Sequence, residues 1–453
     1  MRVLLVRPLL LNMLTFIGAI DCEPLELEYL ASACRTAGAD WTVYDGLVET
    51  RRFSAVLTGY RPDLVAMTGY ITQENRMRSY AALAKRHCPG CRVVIGGPHA
   101  QLNHRRLFFP ETDYITRSES MADFAAFLRL LQEGGDPAAI NGLCWRREAG
   151  GGFVENPYRP PPLSGADALP LPDRSFRDGY ADSYRYLAYE RVSTLKTALS
   201  CPFSCSFCYG TNLHGGRYLA RPLPDVMAEL EAVKADTVFI VDSDFLVDEA
   251  RLRAFLSGLE ARSIRKTFIC YARADFIARH PALMNELVRA GFAMFLVGLE
   301  GIRDDRLEAY RKGTDTNINE TCVRVLREAG AECVALMMAD PAFEKGDFAA
   351  LYRWVKAMGL RYVTVQITTP IPPTSYYEET REALTDHRPE KWDLAHLLLP
   401  PAHQSRAGFL LRHRLLVARL YLLGWRRGAY RFVTPRYLAR CVRRWLQRKK
   451  TLR

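Results

Sequence analysis

From Thr194 onward the chain repeats one unit, a short apolar run followed by a helix-length amphipathic segment. The apolar runs are 194–200, Thr237–Val241, Thr267–Tyr271, Phe292–Leu299, Cys333–Met338 and Tyr362–Thr368, with helices such as Pro224–Lys234 and Asn319–Ala329 between them. Strands separated by helices cannot pair as hairpins. Each must cross over, which builds a parallel sheet covered by helices. Six such units predict a partial (β/α)6 barrel of the TIM type, whose chemistry gathers where the strands end. Residues 1–150 show the same alternation in shorter units: strands at Val3–Val6, Trp41–Tyr44, Leu64–Met67, Arg92–Ile95 and Asp113–Ile115, helices at Pro24–Ala37, Glu74–Arg86 and Ala122–Leu131. That pattern predicts a doubly wound, Rossmann-like sheet that binds ligands beyond the carboxyl ends of its strands, where Gly96-Gly97 lets backbone approach closely.

The expected organisation is therefore an α/β chain in four parts. A Rossmann-like domain spans 1–150 and a proline-rich linker 151–192, with Pro157, Pro160, Pro161, Pro162 and the Leu169–Asp173 run favouring extended chain. The barrel spans 193–400 and a helical, basic region 401–453.

The first strand of the larger repeat runs into Cys201-Pro202-Phe203-Ser204-Cys205-Ser206-Phe207-Cys208. Three closely spaced thiolates on one loop can each hold one iron of a 4Fe–4S cube and leave the fourth iron open. An open iron can bind a small molecule, which suits cofactor chemistry more than electron storage. The competing reading is a zinc site completed by His214, or plain loop cysteines; zinc sites favour paired Cys-x2–4-Cys and His spacings. Cys88-Pro89-Gly90-Cys91, with His87 or His99 near, reads either as a redox or zinc pair or as an incidental helix end, since no second pair follows at zinc spacing.

Polar residues recur at the strand ends: Asp242 and Asp244, Arg273 and Asp275, Glu300, Asp340, Thr369. Each alone can be a helix cap. As one charge per strand end around the cysteine loop, they read as a site. The CxxxCxΦC pattern, with Phe207 in the aromatic place, resembles the signature of the radical S-adenosylmethionine (SAM) enzymes. Val241–Phe245, Tyr271–Asp275, Val297–Glu300, Arg311–Thr314, Thr369–Thr374 and Trp392–Pro400 resemble successive blocks of the cobalamin-dependent (class B) radical-SAM methylases, around the hopanoid C-3 methylase and its relatives. Cys22–Tyr29, Gly96–His99 and Asp113–Glu119 resemble the cobalamin-binding domain that precedes many such barrels. The resemblance covers roughly residues 1–400. The chain departs from the pattern at Ser243-Asp244, where Asp-Asn is common, and at Arg117-Ser118-Glu119-Ser120, where Gly-Glu-Gly is usual. It departs again at Pro373, where a glycine is usual and proline, barred from positive φ, must reshape the loop.

What the resemblance implies is specific. Cys201, Cys205 and Cys208 would hold a 4Fe–4S cluster whose open iron is chelated by SAM. Asp242, Asp244, Arg273, Glu300 and Thr369 are the candidates for SAM contacts, carboxylates suiting its ammonium and ribose and an arginine its carboxylate. Gly96, Gly97 and His99 mark the end of the first domain where cobalamin would lie. The Asp-x-His-x-x-Gly motif that supplies histidine to cobalt elsewhere is absent, so no histidine ligand is expected. The implied reaction is methyl transfer to an unactivated carbon of a small-molecule or lipid-like substrate, driven by a reductant such as flavodoxin or ferredoxin. A radical cyclisation or rearrangement, and a corrinoid- or lipid-binding protein with an inactive barrel, are the alternatives.

Composition sets the compartment and the partners. Twelve scattered cysteines and a start, Met1–Val6, that enters a strand directly fit a reducing cytosol. No apolar run reaches 18 residues, so no bilayer span is expected. The formal net charge is +12, yet residues 403–453 hold thirteen Arg, two Lys and no acid, leaving 47 of the 62 basic residues against all 50 acidic ones in 1–402. Leu411, Leu415, Ala418 and Leu422 form one helical stripe, and Tyr437, Leu438, Cys441, Val442, Trp445 and Leu446 another opposite Arg436, Arg440, Arg443 and Arg444. Such a tail can lie on an anionic membrane, pack its stripe on the barrel, or bind RNA phosphate. No RNA-binding module accompanies it.

Overall fold

The computed structural model describes residues 1–9, 19–147, 152–160 and 169–451. Gly151 and residues 161–168 of the expected linker, and residues 452–453 of the basic tail, lie outside them. The chain forms two compact units, Met1–Val192 with Leu213–Gly215 and Val433–Arg453, and Ser193–Asn212 with Gly216–Phe432.

The first unit is built on seven strands, β1 (Arg2–Arg7), β2 (Asp40–Asp45), β3 (Leu64–Thr68), β4 (Arg92–Gly96), β5 (Tyr114–Thr116), β6 (Leu143–Arg146) and β7 (Phe153–Glu155). Their order is β2-β1-β3-β4-β5-β6-β7. The first five are parallel, and β6 and β7 add antiparallel at the edge. The strands are continuous apolar runs because both faces are buried. Leu4, Val6, Val65, Met67, Val93 and Ile95 fill one face; Val3, Leu5, Leu64, Ala66 and Val94 fill the other. Helices α1 (Leu25–Thr36), α2 (Glu74–His87), α3 (Pro98–Asn103) and α4 (Met121–Glu133) lie between the strands.

The linker does not hang free. Ser32 donates to the Leu171 carbonyl at 2.5 Å and Asp173 N–H to the Glu28 carbonyl at 2.9 Å, laying the extended segment along α1. Arg174 then reaches Glu23 and Glu28, and Arg177 reaches Glu23, all four side chains nearly buried. The acids of Cys22–Tyr29 thus hold the linker.

The second unit carries six parallel strands in sequence order, β8 (Ser193–Leu195), β9 (Thr237–Ile240), β10 (Thr267–Arg273), β11 (Phe292–Glu300), β12 (Glu332–Ala339) and β13 (Tyr362–Ile367). The edge strands β8 and β13 do not pair with each other, as a partial barrel requires. The expected strand 194–200 is two pieces. It leaves the sheet after Leu195, and Ala198–Leu199 instead pairs antiparallel with Leu219–Ala220. Asp242 causes the break, its Oδ1 accepting the N–H groups of Thr197 (2.6 Å) and Ala198 (3.1 Å).

The basic tail divides. Helix α5 (Arg406–Arg426) buries Phe409, Leu416 and Leu420 in the core of the second unit. Helix α6 (Pro435–Thr451) belongs to the first unit, where Arg448 and Arg444 reach the fully buried Asp21 and Tyr437 lies under the Arg185 guanidinium at 4.8 Å. The expected single stripe on α6 is therefore split: Tyr437 and Cys441 are buried, whereas Leu438, Val442 and Leu446 are about half exposed.

Candidate functional site

The cysteine loop begins after Ser200, whose φ of +63° turns the chain sharply and whose hydroxyl donates to the Gly210 carbonyl at 3.1 Å. Cys201, Cys205 and Cys208 are unpaired and partly exposed. Between them the loop is anchored by Ser206, which is buried. Its N–H donates to the Tyr310 carbonyl (2.9 Å) and its carbonyl accepts from Tyr376 N–H (3.0 Å) and the Ser375 hydroxyl (3.3 Å). Phe207 meets the Tyr310 ring edge-on at 5.4 Å, and the Tyr310 hydroxyl donates to Asp340 (2.6 Å) beside Thr368 (3.1 Å). The aromatic between the last two cysteines thus seats the loop on β12 and β13. Burial pushes Cys201 up to about 11 and also raises Cys208, so metal loading would have to release their protons.

Around this loop the strand ends present charge in two states. Asp242 is spent, its Oδ1 on the two N–H groups named above and its Oδ2 accepting from the Thr197 hydroxyl at 2.5 Å. Both oxygens of this expected SAM contact are thus engaged by the Thr197–Ala198 segment. Asp244 is the opposite case. Its Oδ1 accepts from Leu246 N–H at 3.2 Å, but its Oδ2 is buried and, among the described residues, has no hydrogen-bond partner. Burial pushes its pKa up to about 7.

Arg273 is the most connected side chain. It donates to Cys205 Sγ (3.6 Å), to the Lys312 carbonyl (2.5 Å) and to Asp275 (2.9 Å), and its guanidinium lies 3.9 Å from the Phe203 ring centroid. Asp275 is held in turn by Arg279 at 2.6 Å. Glu300 ends β11 in the left-handed region, φ +59°, where the register to β12 shifts. Its Oε1 accepts from buried Lys312 Nζ at 2.8 Å. Burial opposes the charge of Lys312, yet Glu300 beside it raises the pKa above the ordinary value. Gly298 lies underneath, where a Cβ would stand 2.4 Å from Glu300 Oε1 and 2.7 Å from Lys312 Nζ and so displace the ends of that pair. Lys312 had no expected role. Its only sequence signal is the block Arg311–Thr314, and its partner lies twelve residues away. Thr369 donates to the Ile367 carbonyl at 2.9 Å and is buried; Trp392 holds the following loop through the Pro370 carbonyl at 2.7 Å. The Pro372–Pro373 peptide in that loop is cis.

In the first unit, Gly96 and Gly97 close β4. A Cβ on Gly97, at φ +87°, would meet Thr68 Oγ1 at 2.2 Å, and one on Gly96 would meet Thr116 Cγ2 at 2.8 Å. Backbone there is bare and cannot carry side chains. His99 opens α3 but lies in the core, its Nε2 3.0 Å from Glu74, which also holds Arg106 at 2.7 Å. Burial keeps its pKa low, hence neutral. In the Arg117–Ser120 turn, Ser120 caps α4 and Glu119 pairs with His214 Nδ1 at 2.7 Å.

The donor chemistry separates the metal readings. His214 pairs through Nδ1 with Glu119, and among the described residues no three His, Cys, Asp or Glu groups converge on one ion, as a zinc site would require. An iron–sulfur cube asks only that three thiolates reach three separate irons, and three thiols on an anchored loop fit that demand. Cys88 and Cys91 turn onto backbone carbonyls, of Leu57 (3.6 Å) and Arg92 (3.2 Å), at a helix end.

Comparison with known proteins agrees with this architecture. Residues 18–128 match the family described as B12 binding domain, and residues 195–355 match the Radical SAM superfamily. The chain thus carries a B12 binding domain ahead of a radical SAM domain. Among relatives, it is 26% identical over 386 residues to the hopanoid C-3 methylase of Methylococcus capsulatus, covering 83% of this chain and 72% of that one. It is 23% identical over 424 residues to the anaerobic magnesium-protoporphyrin IX monomethyl ester cyclase of Synechocystis sp., covering 89% and 82%. The solved structure of the radical SAM methyltransferase TsrM from Kitasatospora setae, with cobalamin and a [4Fe-4S] cluster bound, shares the fold at a TM-score of 0.71 and 18% identity, covering 99% of both chains.

Proposed function

We propose that this chain methylates an unactivated carbon of a small-molecule or lipid-like substrate. Three thiols on one anchored loop, beside a buried aspartate with an unpartnered oxygen, carry the reading. When bound, the 4Fe–4S cluster and SAM supply a 5′-deoxyadenosyl radical for hydrogen abstraction and cobalamin supplies the methyl group. Cys201, Cys205 and Cys208 hold the cluster. Asp244 Oδ2 takes a cation or hydroxyl of SAM, since a buried carboxylate oxygen without a donor is costly until a ligand provides one. Asp242 positions the loop from behind rather than touching the ligand. Arg273 ties Cys205 to the Lys312 backbone, and the Glu300–Lys312 pair gives a fixed polar edge for the ribose or the carboxylate. Gly96 and Gly97 clear backbone for the corrinoid, with no histidine on cobalt, since the Asp-x-His-x-x-Gly motif is absent.

The expected electron donor is a small reductant of the flavodoxin or ferredoxin type, in the cytoplasm, and the C-terminal region contacts an anionic membrane surface. Anaerobic reconstitution with SAM and reductant should yield 5′-deoxyadenosine and S-adenosylhomocysteine together, and Ala at any one of the three cysteines should abolish both. Full activity in the triple variant refutes the proposal. The similarity to a cyclase favours a second reading, ring closure on the same scaffold. It would give 5′-deoxyadenosine without S-adenosylhomocysteine and a product lacking the added methylene.

A further inference from the structure

Helix α5 is apolar on two opposite faces. Its inner face is core, with Phe409 edge-on to Phe348 at 5.3 Å and His413 Nε2 on the Val365 carbonyl at 2.9 Å. Its outer face carries Leu411, Leu415, Ala418, Leu422 and Trp425, steps of four and three that fall on one stripe. Leu411 and Trp425 are each 60% exposed, Leu415 54% and Leu422 47%. A surface helix normally turns polar residues outward. Here, with Tyr421, five of the ten exposed large hydrophobic side chains of the described residues sit on one helix.

Arginines edge this stripe on both sides. By helical spacing Arg414 falls on one flank, and Arg419 and Arg426 on the other. Arg419 lies over the Tyr352 ring at 4.0 Å. No acid occurs on α5 or anywhere from His403 to Arg453.

We infer that the outer face of α5 is a lipid-docking surface that lies flat on an anionic bilayer. The leucines enter the acyl boundary, Trp425 sits at the interface, and the flanking arginines meet phosphate headgroups. Charge selects this occupant over a second copy of the chain. Two such stripes packed together would bring arginine rows against each other without one acid to relieve them. Helix α6 is the poorer candidate, because Arg444 and Arg448 are already drawn to Asp21 and Tyr437 and Cys441 are buried. The inference rests on the membrane contact of the C-terminal region proposed above and names the surface that makes it.

The test is sedimentation of full-length protein with vesicles of phosphatidylcholine alone or mixed with phosphatidylglycerol, at low and high salt. Wild type should pellet only with the anionic vesicles, and salt should release it. Leu415→Glu with Leu422→Glu should lower binding more than about tenfold, and Arg414→Gln with Arg426→Gln about twenty-five-fold, at roughly fivefold per arginine. Val442→Glu with Leu446→Glu on α6 should bind like wild type. No binding by wild type, indifference to lipid charge, or loss in the α6 variant alone overturns the inference. So does a dimer in light scattering that the α5 variants dissolve, which would assign the face to a second copy. Production of 5′-deoxyadenosine with a soluble reductant reads the radical chemistry independently. Wild type that makes this product yet binds no vesicles rejects the surface and leaves the proposed reaction standing.

Discussion

Replacing Asp244 by Asn should change the way this protein's stability depends on pH. The carboxyl is almost fully buried and its Oδ2 has no donor, while Arg273 and Lys312 only partly offset the burial. Its pKa stands at about 7 against 3.8 for an ordinary Asp. About three units at 1.36 kcal/mol each is on the order of 4 kcal/mol. The folded chain holds this proton more tightly than the unfolded chain does. Asp244 therefore costs nothing at low pH, and stability falls as pH rises from about 4 to about 7, then levels. Asn never ionises and removes that slope. Denaturant midpoints of cluster-free protein, measured anaerobically under reducing conditions, should differ by only about 1 kcal/mol between wild type and Asp244→Asn near pH 4.5 and diverge by up to several kcal/mol near pH 8, the variant being the more stable. Curves that stay parallel across this range would refute the assignment of an unpaired buried carboxylate. The same group predicts that SAM binding near neutral pH releases a proton, because a cation beside Oδ2 pulls the pKa back down. Calorimetry in buffers of different ionisation heat reads that directly.

Lys312→Met should cost about 3–5 kcal/mol, since it leaves Glu300 charged and buried, and adding Glu300→Gln should recover much of it in the denaturant midpoint. Gly97→Ala should destabilise the first unit by about 2 kcal/mol or more, since it puts a Cβ against Thr68 in a left-handed conformation, and it should weaken corrinoid binding seen by absorbance. His99→Ala should leave the cobalt(II) EPR spectrum of bound cobalamin without nitrogen splitting, as in wild type; splitting that this change removes would place histidine on cobalt.

The alternation of strand and helix, the three cysteines and the strand-end polar residues were legible in the sequence because their signals are local. Strand periodicity, crossover length and loop spacing follow from backbone geometry within some thirty residues. Side-chain commitment is not local. Asp242 and Asp244 sit two residues apart at one strand end, and nothing in their spacing says which is spent. Only the folded chain brings Thr197 and Ala198, 45 and 44 positions away, onto Asp242 and leaves Asp244 Oδ2 bare. Lys312 acquires its role from Glu300, and His214 finds Glu119, through contacts the chain makes only on closing. The tail shows the same division. Its charge and its two stripes were written in the sequence, whereas which stripe faces outward was decided by tertiary packing. Phe409, Leu416 and Leu420 took the inner face of α5 for the core, and Asp21 drew the arginines of α6, leaving the large side chains of the Leu411–Trp425 stripe about half exposed or more.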